Sequence, residues 1–365
     1  MYKKIFLDAP NVGELEKKYL NNAIDSGYVS SVGPFVAEFE AEFAKLLGVK
    51  KAVSTQSGTT AIHMVLHELG VGKGDEVIVP ALTFIASINP VLYVNAKPVF
   101  VDIDPVTWNI DAAAVEKAIT DKTKVIIAVH LYGNPCNMDQ ILRIAKKHNI
   151  YVIEDAAESL GAKYNGNYTG TLGDFGCFSF NGNKVITTGG GGMIVGNSPK
   201  KLEHIKFLAN QAKDRSNESY HPEIGFNDRM TNIEAALGLA QLKRLEGFLK
   251  KKERFNEIYR NELKSIKKIS FQETLTNANS SYWLVCILLK DIDIPLLQSN
   301  LKNKGVTTRR IFMPIVEFPP YKRYKNHDYK NSYRIYERGL CLPCSTLNSE
   351  DDIYSACKIL KGCLR

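Results

Sequence analysis

One lysine stands among glycines where no ordinary surface lysine belongs. Lys184 lies in FSFNGNKVITTGGGGMI, residues 178–194, between Gly182 and the run Gly189 to Gly192. Glycines let backbone come close to a ligand, and Ser179 just ahead can bond a phosphate. An amine so placed can form an imine with an aldehyde cofactor. A ring of that kind wants an acid beside its nitrogen. Asp155, in YVIEDAAES, directly follows an apolar run, which puts it at the carboxyl edge of a parallel sheet, where such folds hold ligands. A carboxylate buried there is costly unless it meets a cation, and a protonated pyridinium nitrogen is one. Helix capping is the competing role for Asp155, and Asp102 in VFVDID is a rival acid at a similar strand end.

Two more segments carry polar chemistry. STQSGTTA, residues 54–61, is a small-residue turn between a strand and a helix, whose free N–H groups and helix dipole make a phosphate cradle. It is neither a Walker loop nor a GxGxxG, and many strand-to-helix turns look like it. GFNDRMTN, residues 225–232, stands before a long helix; Asn227 or Arg229 is a candidate there, while capping by Thr231 or Asp228 accounts for part of the composition.

The elements that must position these residues alternate between helix and strand. NVGELEKKYLNNAIDSG and GPFVAEFEAEFAKLLG read as helices closed by glycine. KAVST, DEVIVP, KPVFVDI, TKVIIAV and IYVIEDA are short runs apolar on both faces, as buried parallel strands are. The pattern predicts an α/β fold, a large domain over residues 1–240 with a parallel sheet wrapped by helices. TNIEAALGLAQLKRLEGFLKKKERFNEIYRNELKSI keeps helical periodicity for more than thirty residues and is the expected spine. Residues 241–365 hold that spine and a small α+β domain built from SYWLVCILL, IPLLQSNLKNKGVTTRR and EDDIYSACKILKGCL.

Composition narrows the class. A chain of 365 residues exceeds one ordinary core, and 44% apolar residues is typical of a soluble protein. No run approaches the roughly 18 apolar residues of a membrane helix, the N-terminus is too polar for a signal peptide, and a cytoplasmic enzyme is expected. Seven cysteines scattered from Cys136 to Cys363 fit a reducing compartment. Cys341 and Cys344 form a CxxC with no second pair beside it, so a buried strand end is favoured over metal, and no metal is expected. The net charge of +8 is spread as lysines along helices without a nucleic-acid-binding signature, leaving no nucleic-acid partner and room for a phosphorylated substrate.

In this order, the cradle, EDAA, FSFxGxK, the glycine run and NxRMTN resemble the sugar aminotransferase family called DegT/DnrJ/EryC1/StrS, within fold type I of the pyridoxal-phosphate enzymes. The likeness runs from about residue 8 to the C-terminus. It implies a large cofactor-binding domain with a mostly parallel seven-stranded sheet wrapped by helices, pyridoxal 5'-phosphate as cofactor, Lys184 as its Schiff-base lysine and Asp155 as partner of the pyridinium nitrogen. By the same resemblance Glu158 lies near the phenolic oxygen, Phe84 of PALTFIA stacks on the pyridine, and Gly58, Thr59 and Ser179 bind the phosphate. Asn227 would reach the phosphate from the partner subunit of a homodimer whose active sites lie at the interface.

The activity implied is transfer of an amino group from L-glutamate, giving 2-oxoglutarate, to C4 of a nucleotide-linked 4-keto-6-deoxyhexose. The product would be a 4-amino-4,6-dideoxy sugar nucleotide for surface polysaccharide synthesis, such as the O-antigen of lipopolysaccharide. SFNGNK and ITTGGGGM are similar to enzymes that use UDP-linked 2-acetamido sugars, which are slightly preferred; SSYWLVCILL, GVTTRRIFMPI and YERGLCLPCSTL are similar to perosamine synthases, which use a GDP sugar. A dTDP sugar is a further alternative. Candidate substrate contacts are Asn181, His221, Arg229, Arg309, Arg310 and Tyr321. Gly190, Asn181 and Asp228 depart from the wider pattern, which bears on the sugar and nucleotide rather than the cofactor. Two rivals stand beside this reading: a sugar dehydratase on the same fold, which Lys184 argues against because such relatives carry histidine there, and a non-catalytic sugar-nucleotide-binding regulator.

Overall fold

Apolar residues on both faces of successive short strands leave no side for water, so the strands stack at the centre of the chain. The computed structural model describes residues 3–214, 216–217 and 219–364. Seven strands form the main sheet: β1 (Ala52–Thr55), β2 (Glu76–Pro80), β3 (Lys97–Val101), β4 (Thr123–Val129), β5 (Tyr151–Asp155), β6 (Phe175–Ser179) and β7 (Gly192–Gly196). Their order is β1-β7-β6-β5-β4-β2-β3. β7 alone runs against its neighbours, pairing antiparallel with β1 and β6. The chain turns back from β6 to β7 through the glycine-rich segment that carries Lys184, and no helix intervenes. A direct return of this kind reverses the strand, whereas a parallel partner needs a long crossover. β1, β2, β4, β5 and β6 therefore end at one edge of the sheet.

Three helices matter to that edge: α1 (Glu14–Asp25), α2 (Pro34–Leu47) and α3 (Gly58–Glu68). Gly48, left-handed at φ 70°, closes α2. Phe43 of α2 packs edge-on against Phe178 and Phe180, and Phe39 lies tilted on Phe180, with ring centroids 5.0–5.5 Å apart, and so they press the strand before Lys184 into the core. The spine helix runs over 32 residues, Asn232–Leu263. Thr231 caps it, accepting the Glu234 N–H, while Glu234 reaches back to Thr231 N at 2.7 Å.

Beyond the spine lies a second sheet of β8 (Ile269–Phe271), β9 (Val285–Leu289), β10 (Arg309–Arg310) and β11 (Gly339–Leu342), in the order β8-β9-β11-β10. The N-terminal segment joins this part of the molecule: Ile5 bridges to Val306, and Leu7 O accepts the Cys344 N–H at 2.7 Å. Asp8 thereby comes beside Arg309. Cys341, in β11, faces Cys286 of β9 with sulfurs 3.6 Å apart, and both thiols are free. No described helix is long and apolar enough to cross a membrane.

The carboxyl end of β5 is held by one side chain. Glu154 is fully buried and accepts N–H bonds from Gly170, Leu172 and Gly173 at 2.6–2.8 Å. His130 completes the set: its Nδ1 accepts the Cys136 N–H at 3.0 Å, so the ring proton sits on Nε2 and is donated to Glu154 at 2.9 Å. Glu154→Gln would turn an amide NH₂ toward these donors. It should destabilise the protein by about 3 kcal/mol, read as a lower midpoint of thermal unfolding; an unchanged midpoint would contradict this role.

Candidate active site

At the strand-end edge opens a cavity of about 290 Å³, bordered by residues from widely separated stretches of sequence. Its floor is acidic. Alternation along β5 sends Glu154 to one side and Asp155 to the other, into the cavity. Asp155 is 5% exposed; its Oδ2 accepts the Ser87 hydroxyl at 2.6 Å and its Oδ1 the Ala157 N–H at 3.1 Å. A carboxylate offers about four acceptor positions, so capacity is left for a cationic N–H. The rival acid serves the scaffold instead. Asp102 accepts the N–H groups of Asn331 and Ser332 and the Ser332 hydroxyl, anchoring helix Lys330–Arg338, and does not border the cavity.

The phosphate cradle sits at the start of α3. Ser57 caps the helix by accepting the Thr60 N–H at 3.1 Å, while the N–H groups of Gly58 and Thr59 have no helix carbonyl to bond and border the cavity beside Ser179. A side chain at position 192 would fall 2.5 Å from the Ser57 carbonyl, so glycine there is what lets β7 pass under the cradle. Phe84, 51% exposed, stands at the mouth with its ring 5.6 Å from that of Phe312.

Lys184 enters from the turn between β6 and β7. Its side chain is 12% exposed, and Nζ lies 3.7 Å from Glu158 Oε1 and 4.1 Å from the ring centroid of Trp283. Glu158 Oε2 accepts the Tyr132 N–H at 2.7 Å. Tyr132 adopts φ 58° and ψ 19°, a costly left-handed backbone for a buried aromatic, and Gly133 follows at φ 94°. A side chain on Gly133 would come within 2.4 Å of Ser281 Oγ. Burial pushes the Glu158 carboxyl above its ordinary range. Lys184, the Tyr132 N–H and Arg309 pull it down, neighbouring Asp155 adds to the rise, and burial prevails.

Arg309 forms the far wall. Nη1 donates to Asp8 Oδ2 at 3.2 Å, but Nε and Nη2 are buried without an acceptor. Two open guanidinium nitrogens bordering a cavity suit an anion.

Gly58, Thr59, Phe84, Asp155, Glu158, Ser179, Asn181, Lys184 and Arg309 thus meet around one space. The remaining expected contacts lie elsewhere in the single chain. Asn227 bridges to Asn210, and the exposed His221 bonds Gln211 O. Arg229 borders a different cavity with Lys206 and Glu40. The Arg310 guanidinium lies over the Tyr336 ring, and Tyr321 is sealed in the core with its hydroxyl on Asn89. Sequence reasoning passed over Ser87, Asn183, Trp283 and Phe312, which also border the cavity. Trp283 looked like one more apolar residue of a strand; β9 starts only at Val285.

These groups fit pyridoxal 5'-phosphate: a buried acid for a ring nitrogen, free helix N–H groups for a phosphate, and an amine between them. Fold and site together define a pyridoxal-phosphate-dependent sugar aminotransferase. The chain belongs to the DegT/DnrJ/EryC1/StrS aminotransferase family, which matches residues 10–361. It is 42% identical over 354 residues to a GDP-perosamine synthase of Caulobacter vibrioides, covering 96% of this chain and 95% of that one. A GDP-perosamine synthase of Escherichia coli O157:H7 is 40% identical over 348 residues, 94% of each chain. The pyridoxal-phosphate form of a putative sugar aminotransferase, Spr1654 from Streptococcus pneumoniae, superposes with a TM-score of 0.93 at 27% identity over the full length of both chains.

An acid held above its unfolded value keeps its proton in the folded state after the unfolded chain has lost it, so stability falls as pH rises above about 4.5. Glu158→Gln should remove that part of the slope in the apoprotein. Thermal unfolding of both proteins across this pH range checks it; parallel curves would mean that Glu158 ionises as an ordinary carboxyl.

Proposed function

We propose that this protein transfers the amino group of L-glutamate to C4 of a nucleotide-linked 4-keto-6-deoxyhexose, forming a 4-amino-4,6-dideoxy sugar nucleotide. The observation that carries this reading is the meeting of one amine, Lys184, one buried acid, Asp155, and an open helix terminus in a single cavity. When bound, pyridoxal phosphate supplies an electron sink for the bonds at the donor's Cα. Asp155 keeps the ring nitrogen protonated, with Ser87 and the Ala157 N–H fixing the carboxylate. Gly58, Thr59 and Ser179 take the phosphate. Glu158, whose carboxyl burial shifts toward its neutral form, would lie beside the phenolic oxygen. Phe84 covers the ring face. Lys184 Nζ would hold the cofactor at its aldehyde carbon and, as a free amine, would be the base placed to take a proton from the donor's Cα. Arg309 offers its two open nitrogens, Nε and Nη2, to a substrate anion.

The likeness to two GDP-perosamine synthases at 40–42% identity supports a GDP-linked sugar over the UDP-linked 2-acetamido sugar that the SFNGNK segment favours. A homodimer accommodates the rest. Phe84 is half exposed at the mouth, Met313 is 37% exposed, and Asn227 lies outside its own cavity, as a residue serving the partner's site would.

Incubation with L-glutamate and a panel of GDP-, UDP- and dTDP-linked 4-keto-6-deoxy sugars, read by product mass, should yield 2-oxoglutarate and the amino sugar with the GDP substrate. Lys184→Ala should lower turnover by about 10³-fold or more and Asp155→Asn by about 10²-fold. A Lys184→Ala protein that still transaminates at the parent rate would end the proposal.

A further inference from the structure

The amine of Lys184 has four rotatable bonds behind it and little to hold it. Glu158 Oε1, at 3.7 Å, is beyond hydrogen-bond reach, and burial keeps that carboxyl toward its neutral form. The other neighbour at the amine is the Trp283 ring, with its centroid 4.1 Å from Nζ.

Trp283 itself is fixed from several directions. Its indole N–H donates to the carbonyl of Asn183, the residue before Lys184, at 2.6 Å. Its own carbonyl accepts from the buried Lys252 of the spine helix at 3.1 Å, and Lys252 also holds Cys344 O at 2.8 Å. Its ring stacks on Tyr132 at 6.1 Å and 15°. Tyr132 is the residue whose N–H orients Glu158. One side chain therefore touches the backbone that presents the lysine, the amine at its tip, and the ring whose backbone aims the neighbouring acid.

We propose that Trp283 is a positioning residue for Lys184, giving the free amine a resting place on the indole face from which it stays aimed at the cofactor's aldehyde carbon. This inference rests on Lys184 being the cofactor-binding amine. Without the ring, the lysine samples more rotamers and the nitrogen is aimed for a smaller share of the time. The indole N–H bond to Asn183 adds a second hold, on the turn that carries the lysine.

The test separates covalent capture from simple binding. In capture, Lys184 Nζ adds to the aldehyde carbon, and the carbonyl oxygen leaves as water with two hydrogens from the amine, with no change of oxidation state. Pyridoxamine phosphate presents the same ring and phosphate but has no aldehyde. Apoenzyme carrying Trp283→Leu should capture pyridoxal phosphate about tenfold more slowly than the parent, and Trp283→Phe, which keeps a ring but loses the N–H, about threefold more slowly. Both should bind pyridoxamine phosphate within about twofold of the parent, since they leave the cradle and Asp155 in place. Capture at the parent rate in both variants would overturn the proposal. So would a loss of pyridoxamine phosphate affinity in step with the loss of capture, because a collapsed pocket does that. If borohydride reduction of the parent complex leaves the cofactor on a residue other than Lys184, the underlying assignment fails instead and takes this inference with it.

Discussion

Two adjacent carboxylates at the end of β5 set the terms for the whole molecule. Taking a carboxylate out of water is expensive, and the chain meets that cost in two opposite ways. Glu154 is answered completely, by three backbone N–H groups and the His130 proton, and so ties the loop at residues 170–173 and the end of β4 to the central strand. Asp155 is answered only in part, by Ser87 and the Ala157 N–H, and its remaining acceptor capacity faces a cavity. Full satisfaction next to incomplete satisfaction, one residue apart, is what divides scaffold from site at this edge.

The other walls follow from the sheet. Because β7 returns directly from β6, the turn between them falls at the same edge as the end of β5, and Lys184 is delivered opposite Asp155 without any long-range folding of a loop. α3 starts at that edge as well, so its unpaired N–H groups arrive as the third wall. β10 and the residues flanking β9 and β10 supply the fourth through Trp283, Arg309 and Phe312, which is why the N-terminal segment matters: Asp8, carried there by the Ile5 and Leu7 contacts, holds one nitrogen of Arg309 and leaves two open.

What could be read from the sequence was whatever depends on neighbours along the chain. Lysine among glycines, an acid after an apolar run, and small residues before a helix are local signatures, and the strands and the 32-residue spine follow from periodicity alone. Residues whose placement depends on tertiary packing could not be read this way. Tyr321 offers a polar tip that the fold seals beside Asn89, and Arg310 a charge that packs on Tyr336, although one position away Arg309 borders the cavity. Two-residue alternation decides between those arginines, and β10 is too short for its pattern to be seen without its partner strand. Ser87 and Trp283 were hidden for the same reason: their importance lies in contacts 68 and 100 positions away, with Asp155 and Asn183.

The protein has two tryptophans. Trp108 is enclosed in the core at 1% exposure, in a left-handed turn, and does not border the cavity. Trp283 borders the cavity with two cations over its ring. Trp283 is therefore the indole whose immediate surroundings a ligand in the cavity changes, and the molecule carries its own optical gauge of how full the cavity is.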